Sequence, residues 1–309
     1  MTFKHYIITR FNLPIFQAKV AGKESTSCSK EYLQYRFELF EKYCMPSIMN
    51  QTCQNFKWLV LFDINTPDEF KQRITKLHNK YPNLVPCFLD INKYKNVPDE
   101  YIKLCEHYTK TIKTHYPTKN YDLKNDDMGL RMITPLFIKD CINQCSNTIP
   151  DYYITTRIDN DDAFHKNMIK IIQDKVIQEK RTKVYDFVYS YKYILNEGVV
   201  YRYPLKNGHF ITLVESSKQL FHSVIFWNHI YIDKFIPEVE HIYQEPLQTE
   251  LIHGNNVVND FTELKIEGLI YAIIHFKGKN FGYKKFHLST LRFMHILAYL
   301  LKEKIKNIR

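Results

Sequence analysis

Residues 152–162 read Tyr-Tyr-Ile-Thr-Thr-Arg-Ile-Asp-Asn-Asp-Asp, an aromatic and β-branched run that leads directly into clustered carboxylates. The run as far as Ile158 predicts a buried β-strand, because such residues favour strands. Hard divalent cations prefer oxygen ligands, which they usually take from one or two carboxylates and from substrate phosphates. Asp159 and Asp161 therefore indicate half of a metal site. The alternative is an acidic turn that caps a helix beginning near Phe164.

Strands and helices alternate in the sequence that precedes this segment. Residues 6–10, 58–62 and 84–89 read as strands, and residues 58–62 are apolar on both faces, as a central parallel strand must be. Between the first two strands, an apolar stripe predicts an amphipathic helix that Pro46 ends or kinks. Its members are Leu33, Phe37, Phe40 and Cys44. The alternation predicts an α/β fold with a doubly wound, mostly parallel sheet.

The other segments complete this outline. Thr134-Pro135 opens a further predicted helix, residues 91–128 are polar and predict loops and one helix, and residues 184–226 predict antiparallel strands. In doubly wound sheets, ligands bind beyond the carboxyl ends of the strands. Arg10, Asp63 and Asp159, although far apart in sequence, are therefore expected at one edge of the sheet.

The charge balance is basic, and much of the excess lies at the C-terminus. The net charge is +10, from 43 Lys and Arg against 33 Asp and Glu. An anionic substrate, an anionic membrane surface or nucleic acid would each explain it. The body carries no basic helix, aromatic RNA-binding signature or zinc-finger spacing, so nucleic acid is not expected as a partner. From Lys277 onward, only Glu303 opposes nine basic residues: Lys277, Lys279, Lys284, Lys285, Arg292, Lys302, Lys304, Lys306 and Arg309.

Residues 288–309 place apolar side chains at helical spacing, but the apolar stretch is shorter than the ~20 residues needed to span a bilayer. A basic amphipathic helix of this kind can lie on anionic lipid. The alternative is a helix docked on the body or on a second subunit. No signal peptide is evident at the N-terminus, and the 7 cysteines include no C-x-x-C pair. We therefore expect reduced thiols and a cytoplasmic protein.

Two pairs of segments carry a resemblance to known enzymes. Residues 46–63, Pro-Ser-Ile-Met-Asn-Gln-Thr-Cys-Gln-Asn-Phe-Lys-Trp-Leu-Val-Leu-Phe-Asp, followed by residues 156–162, resemble GT-A-fold nucleotide-diphospho-sugar glycosyltransferases, especially the family 2 group. Residues 208–215, Gly-His-Phe-Ile-Thr-Leu-Val-Glu, and residues 252–259, Ile-His-Gly-Asn-Asn-Val-Val-Asn, are similar to the bacterial family called putative rhamnosyltransferases. The resemblance covers most of residues 5–260.

The resemblance implies a GT-A-type sheet with an antiparallel extension on the acceptor side and a C-terminal helix. We expect one domain over residues 1–270, with residues 1–165 binding the nucleotide sugar and residues 166–270 forming the acceptor half. Residues 271–309 would be the basic amphipathic helical segment.

The resemblance also implies roles for the acidic residues. Asp159 and Asp161 would bind Mn²⁺ or Mg²⁺ against the diphosphate of the donor, and Asp162 would steady the loop. Asp63 would lie in the nucleotide pocket, although an Asp capping the next turn is an equal alternative. Glu215 is the first candidate for the general base that inverting transfer requires. Other candidates are Glu245, Glu250 and Asp260, and inversion or retention stays open.

Basic residues would complete the donor site. His253 could reach the metal or a phosphate, because Gly254 permits a tight turn beside it, and its alternative is simple packing. Arg10 or Arg131 could donate paired hydrogen bonds to the phosphates, and exposure on the surface is the alternative for each.

These expectations define a metal-dependent glycosyltransferase. It would move a sugar, rhamnose by the family label, from a nucleotide-diphospho-sugar to a bacterial surface glycan or glycolipid acceptor, in the cytoplasm or peripherally on the inner face of the cell membrane. One alternative is a nucleotidyltransferase or phosphohydrolase that uses the same carboxylates. Another is a basic lipid- or nucleic-acid-binding module with an incidental acidic turn.

Overall fold

The computed structural model of the chain describes residues 2–13, 18–20, 23–94, 96–112, 127–254, 264–284 and 286–306, with the backbone alone at 18–20, 23–25, 127–131 and 303–306. The strands are β1 (Phe3–Arg10), β2 (Ala18–Val20), β3 (Lys23–Ser25), β4 (Lys57–Asp63), β5 (Leu84–Leu89), β6 (Tyr152–Arg157), β7 (Ala163–Phe164), β8 (Lys183–Phe187), β9 (Tyr189–Ile194), β10 (Val199–Pro204), β11 (Thr212–Ser216), β12 (Val239–Ile242) and β13 (Gln248–Ile252). The α-helices are α1 (Lys30–Leu39), α2 (Met45–Met49), α3 (Asp68–Lys80), α4 (Asp99–Ile112), α5 (Asp127–Cys145), α6 (Met168–Glu179), α7 (Ile266–His275) and α8 (Thr290–Lys306).

The main sheet has seven strands in the order β12-β8-β11-β6-β1-β4-β5. Strand β11 is antiparallel to both of its neighbours, and every other pairing in this sheet is parallel. The α/β fold class with a mostly parallel sheet, predicted from the sequence, is confirmed. A smaller sheet of order β10-β9-β13-β7 provides the mixed extension.

Both faces of the central strands are buried. Alternate residues of β4 point to opposite faces of the sheet. Trp58, Val60 and Phe62 pack with residues of α1, α2, α3 and α6, and Leu59 and Leu61 pack with residues of α4 and α5. The unbroken apolar run at residues 58–62 is explained by this two-sided burial, since a strand with one wet face would alternate apolar and polar residues.

Pro46 does not end the first predicted helix. Helix α1 continues through a π-helical turn, Phe40–Cys44, directly into α2, which contains Pro46. Proline has no N–H, and its ring clashes with the carbonyl one turn earlier in a regular α-helix. The wider π-turn relieves this clash and lets the helical path continue.

Helix α5 begins before Thr134-Pro135, so the predicted start of that helix was wrong. Pro135 lies inside α5, where it removes one intrahelical hydrogen bond without ending the helix. Of residues 91–128, the structure describes helix α4 and a short 3₁₀ turn, and residues 113–126 lie outside the described part. The predicted antiparallel strands appear as the β9–β10 hairpin and as β11.

The C-terminal segment forms two packed helices. Helix α7 packs closely on β10 at Gly268. A Cβ at this position would lie only 2.1 Å from the carbonyl oxygen of Arg202. The division expected at residue 270 therefore falls inside a helix. Helix α8 packs through Phe293, Ile296, Leu297 and Leu300. Among the described residues, none of the helices combines the length and apolar character needed to cross a bilayer. All seven cysteines are free thiols, as predicted.

One buried imidazole makes the fold sensitive to acid. His5 is 3% exposed, and its two ring nitrogens contact Thr156 and Gln173 at 2.8 and 3.2 Å. Burial lowers the pKa of His5 from 6.5 to about 3. The neutral ring is therefore the folded form, and its contribution to stability is complete above pH 6.5 and declines as the pH falls toward 3.

Replacing His5 with Gln should remove this sensitivity, because the amide does not titrate. Between pH 7.5 and pH 5, the unfolding free energy of the wild type should fall about 2 kcal/mol further than that of His5→Gln. Urea denaturation at the two pH values measures this difference. Equal losses in the two proteins would show that His5 is not held neutral.

Candidate active site

The carboxyl ends of the parallel strands bring the predicted residues to one edge. Strands β1 and β6 pair with Ile8 opposite Arg157. Arg10 and Asp159 each lie two residues further along, and the Arg10 guanidinium comes within 3.9 Å of the Asp159 carboxylate. Asp63 ends the neighbouring strand β4 at the same edge. The shared edge expected for Arg10, Asp63 and Asp159 is therefore present.

A buried glutamine holds the chain just after the carboxylates. The Gln51 side chain donates to the carbonyls of Ser47 and His165, both at 2.9 Å, and accepts the N–H of Ile169 at 3.1 Å. The Ser47 hydroxyl accepts the N–H of Phe164 at 3.1 Å. These contacts join α2 to the start of α6. Through these contacts, the Ser-Ile-x-x-Gln-Thr segment supports the loop that follows residue 162.

Asp159 is paired with arginines. Arg157 donates to both of its carboxylate oxygens, at 3.1 to 3.3 Å, from Nε and the terminal nitrogen. Burial alone would raise the pKa of Asp159, but the positive charges of Arg157 and Arg10 outweigh it and hold that pKa far below its usual range. About a third of the side chain is still exposed, so a ligand can reach this carboxylate.

Asp161 is occupied by a different set of partners. Arg36, from α1, reaches its two oxygens at 3.0 and 3.1 Å, and His253 Nε2 lies 2.8 Å from one of them. The other ring nitrogen of His253 is 2.7 Å from the Tyr35 hydroxyl. Burial works against ionisation, yet Arg36 and the bond from His253 lower the pKa of Asp161. The pair is deeply buried, with 13% of the Arg36 side chain exposed and 8% of Asp161.

Asp162 turns toward the smaller sheet. One oxygen accepts the N–H of Leu251 at 2.9 Å, and the other lies 3.0 Å from His209 Nε2. Burial and the nearby charge of Asp161 raise the pKa of Asp162 to about 7, against the opposing influence of His209. Asp162 thus ties the acidic loop to β13, and it also faces His209.

These residues include one group that suits a divalent cation. Within the described residues, ligand atoms of Asp159, Asp162 and His209 all lie within 4.8 Å of one another. Neighbouring ligands of an octahedral ion, each at about 2.1 Å, are about 3.0 Å apart. Asp162 Oδ2 and His209 Nε2 are 3.0 Å apart, which is a hydrogen-bond distance here and is also compatible with two ligands of one ion. The two carboxylates suit Mn²⁺ or Mg²⁺, which take mainly oxygen ligands, and the imidazole of His209 would be a less usual third ligand. Asp161 is already engaged by Arg36 and His253.

The structure does not bring Glu215 to this edge, which corrects the first choice of general base. Strand β11 runs antiparallel to β6 and sets Glu215 opposite Tyr153, near the amino end of β6. Its carboxylate accepts the backbone N–H groups of His222 and Ser223, both at 2.9 Å. Because the strand is reversed, a residue late in β11 falls at the far end of the sheet from Asp159.

Two further predicted residues have a limited description. The Asp63 carboxylate accepts the N–H of Asn65 at 2.7 Å, which is the turn-capping contact weighed as the alternative, and a contact with a nucleotide stays a prediction. Arg131 belongs to helix α5, but its side chain lies outside the described residues.

Three residues of this site were not predicted from the sequence. Arg36 stands on the helix that carries the apolar stripe, and its partner is 125 positions away. Arg157 is the last residue of β6, and nothing in its local sequence distinguishes it from an ordinary strand residue. His209 lies inside the segment 208–215 that carried the resemblance, so this segment held a signal, but Glu215 was predicted from it instead.

Comparison with known proteins gives one family match. Residues 4–127 match the family described as Putative rhamnosyl transferase. This part of the chain includes the segment 46–63 and confirms the resemblance there. It is under half of the chain and stops short of Asp159, Asp161 and Asp162. None of the curated proteins matches the sequence.

Similar solved structures include two of the S. aureus protein TarS. The crystal structure of TarS 1-349 aligns with 80% of this chain and 60% of its own, at 9% identity and a TM-score of 0.40. The crystal structure of TarS aligns with 82% of this chain and 37% of its own, at 9% identity and a TM-score of 0.39. This chain therefore spans less than two thirds of either structure, and likeness at this level carries no information about activity.

The buried Arg36–Asp161 pair should be important for stability. Arg36→Met leaves the Asp161 carboxylate buried with one strong partner removed, which should cost about 3–5 kcal/mol of unfolding free energy. A matched control is Lys170→Met, which breaks a pair with Asp174 whose side chains are 57% and 50% exposed. It should change stability by less than about 1 kcal/mol. Urea denaturation at pH 7.5 compares them, and equal effects would contradict the assigned importance of Arg36.

Proposed function

We propose that this protein is a metal-dependent glycosyltransferase that transfers a sugar from a nucleotide-diphospho-sugar to a glycan or glycolipid acceptor. The observation that carries the proposal is the cluster of Asp159, Asp162 and His209 at the carboxyl edge of a mostly parallel sheet, with arginines beside it. The match of residues 4–127 to a family described as rhamnosyl transferases supports sugar transfer. Rhamnose as the donor sugar rests on that description alone.

The charges of the site suit a diphosphate. Arg10, Arg36 and Arg157 bring three permanent positive charges to a loop in which Asp159 and Asp161 are ionised. Planar guanidinium groups bind phosphate oxygens with paired hydrogen bonds. Arg10 and Arg157 both contact Asp159 and are within reach of a group bound there. They would orient the diphosphate and balance its charge.

Asp159, Asp162 and His209 would hold Mn²⁺ or Mg²⁺ in this proposal. When bound, the ion would supply Lewis-acid neutralisation of the charge that develops on the departing nucleoside diphosphate. The remaining contacts orient these ligands. The Leu251 N–H fixes one Asp162 oxygen and leaves the other toward His209, and Arg157 fixes the plane of Asp159. Such supporting bonds set ligand geometry.

The acceptor hydroxyl needs a base on the acceptor side, and Glu250 now replaces Glu215 as our first candidate. Glu250 lies on β13 next to Leu251, which binds Asp162, and its charge contributes to the raised pKa of His209. Its carboxylate accepts the Tyr203 hydroxyl at 2.7 Å. Glu245 instead accepts the Tyr271 hydroxyl, and Asp260 lies outside the described residues.

Mn²⁺ binding should distinguish the metal ligands from their neighbours. His209→Ala and Asp162→Asn should each weaken Mn²⁺ binding by at least about tenfold, because each removes a direct ligand. His253→Ala serves as the matched control and should keep Mn²⁺ affinity within a few-fold, since its Nε2 contacts Asp161. Calorimetric titration of the purified protein measures all three. The reverse pattern would restore Asp161 and His253 as the metal ligands.

A panel of nucleotide sugars, including a rhamnose donor, should identify the substrate by thermal shift. Ligand bound to the folded state raises the melting temperature by mass action, so the correct donor should do so, and more strongly with Mn²⁺. Turnover should then release a nucleoside diphosphate. Release of pyrophosphate would indicate a nucleotidyltransferase, and the absence of any Mn²⁺-dependent donor shift would overturn the proposal.

A further inference from the structure

The packed C-terminal helices leave a second apolar surface uncovered. On α8, the packing residues Phe293, Ile296, Leu297 and Leu300 occupy one side. Leu291, Met294 and Leu301 follow a separate stripe, and they are 71%, 55% and 45% exposed. At about 100° per residue, this stripe lies on a different side of the helix from the packing residues. Docking against the body therefore uses only part of the apolar surface of α8.

Helix α7 repeats this arrangement. Leu269 and Ala272 are buried, and Gly268 meets the backbone of β10. The opposite side carries three exposed isoleucines: Ile270, Ile273 and Ile274. The two helices contact each other, and each leaves apolar side chains exposed. We call the six exposed residues of both helices the α7–α8 surface. Isolated exposed apolar residues are ordinary, but six on adjacent helices indicate a binding surface.

The α8 side of this surface is rich in basic residues, whereas α7 itself carries the acidic residue Glu267. From Lys277 onward, the sequence has nine Lys and Arg and a single acid. On α8, Arg292, His295 and Lys302 follow a polar stripe beside the exposed apolar one, and all three are exposed. Arg292 pairs with Glu197, and Lys302 on the same stripe is exposed.

This charge decides between two occupants. In a symmetric dimer through the α7–α8 surface, the same patch would meet itself, so the basic residues of two copies would be brought together. Like charges brought together at an interface oppose association. An anionic lipid surface instead attracts Lys and Arg while its acyl boundary accepts the apolar stripe.

We infer that the α7–α8 surface docks this protein peripherally on an anionic lipid bilayer, with the exposed isoleucines and the Leu291–Met294–Leu301 stripe at the headgroup boundary. The inference stands independently of sugar transfer, because lipid binding requires neither donor nor metal. Docking of this kind would keep the protein at a membrane, where a glycolipid acceptor resides.

Vesicle flotation tests the inference with the full chain. Vesicles of phosphatidylglycerol and phosphatidylcholine should carry the protein upward at low salt, and pure phosphatidylcholine vesicles should not. Binding should weaken at 0.5 M salt, because salt screens the attraction between exposed charges. The double variant Leu291→Ser with Met294→Ser should reduce binding by roughly tenfold or more, since it removes apolar area from the inserted stripe.

The matched control is Ile149→Ser with Ile177→Ser. These residues are 79% and 50% exposed, close to the values of the test pair, and lie outside the α7–α8 surface. The control should bind vesicles as the wild type does, and circular dichroism should show both double variants folded. Equal flotation of the two double variants, equal binding to neutral vesicles or no binding at all would each overturn the inference. So would a concentration-dependent dimer that only the Leu291/Met294 variant abolishes, because it would identify a second copy as the occupant.

Discussion

Three carboxylates within four residues repel one another when they are ionised, and they can lie together in a largely buried loop only if positive charge is brought to them. Removing one ionised group from water is costly, and each carboxylate in this loop adds repulsion to the others. The protein meets this constraint with partners from distant elements. Arg157 and Arg10 hold Asp159, Arg36 and His253 hold Asp161, and His209 faces Asp162. Much of the tertiary structure at this edge brings those partners into contact with the carboxylates.

The three carboxylates are consequently not equivalent. Asp161 is enclosed by a bidentate arginine and a histidine, a geometry that favours a fixed structural role. Asp159 has a third of its side chain exposed and is therefore better placed to meet a ligand, and Asp162 faces His209 at 3.0 Å beside it. The spacing D-x-D in the sequence makes Asp159 and Asp161 look like the pair. In the described residues, the group that could hold a cation consists of Asp159, Asp162 and His209, which lies in the connection between β10 and β11.

Part of the structure that supports the acidic loop was predicted from the sequence. Residue type and spacing predicted the apolar strands and the amphipathic helix that begins near Leu33, because local periodicity indicates which faces are buried. They also predicted the reduced cysteines. Pro46 was predicted to end or kink its helix, and Pro135 was predicted to lie at the start of one. In both cases tertiary packing kept the helix going, with a π-turn before Pro46. The Ser-Ile-x-x-Gln-Thr segment was recognised as a pattern, but its purpose needed the contacts of Gln51 with residues more than 100 positions away.

The sequence by itself determined the α/β class, the positions of the buried strands along the chain and the location of clustered carboxylates after β6. These depend on composition and on periodicities of two and 3.6 residues. It also determined the basic character of the C-terminal helix. Only the tertiary structure decided which cation faces each carboxylate and placed Glu215 at the far end of the sheet. Only the tertiary structure left one stripe of α8 exposed while another packs. These outcomes depend on strand direction and on contacts between distant residues, and neither is encoded in local spacing.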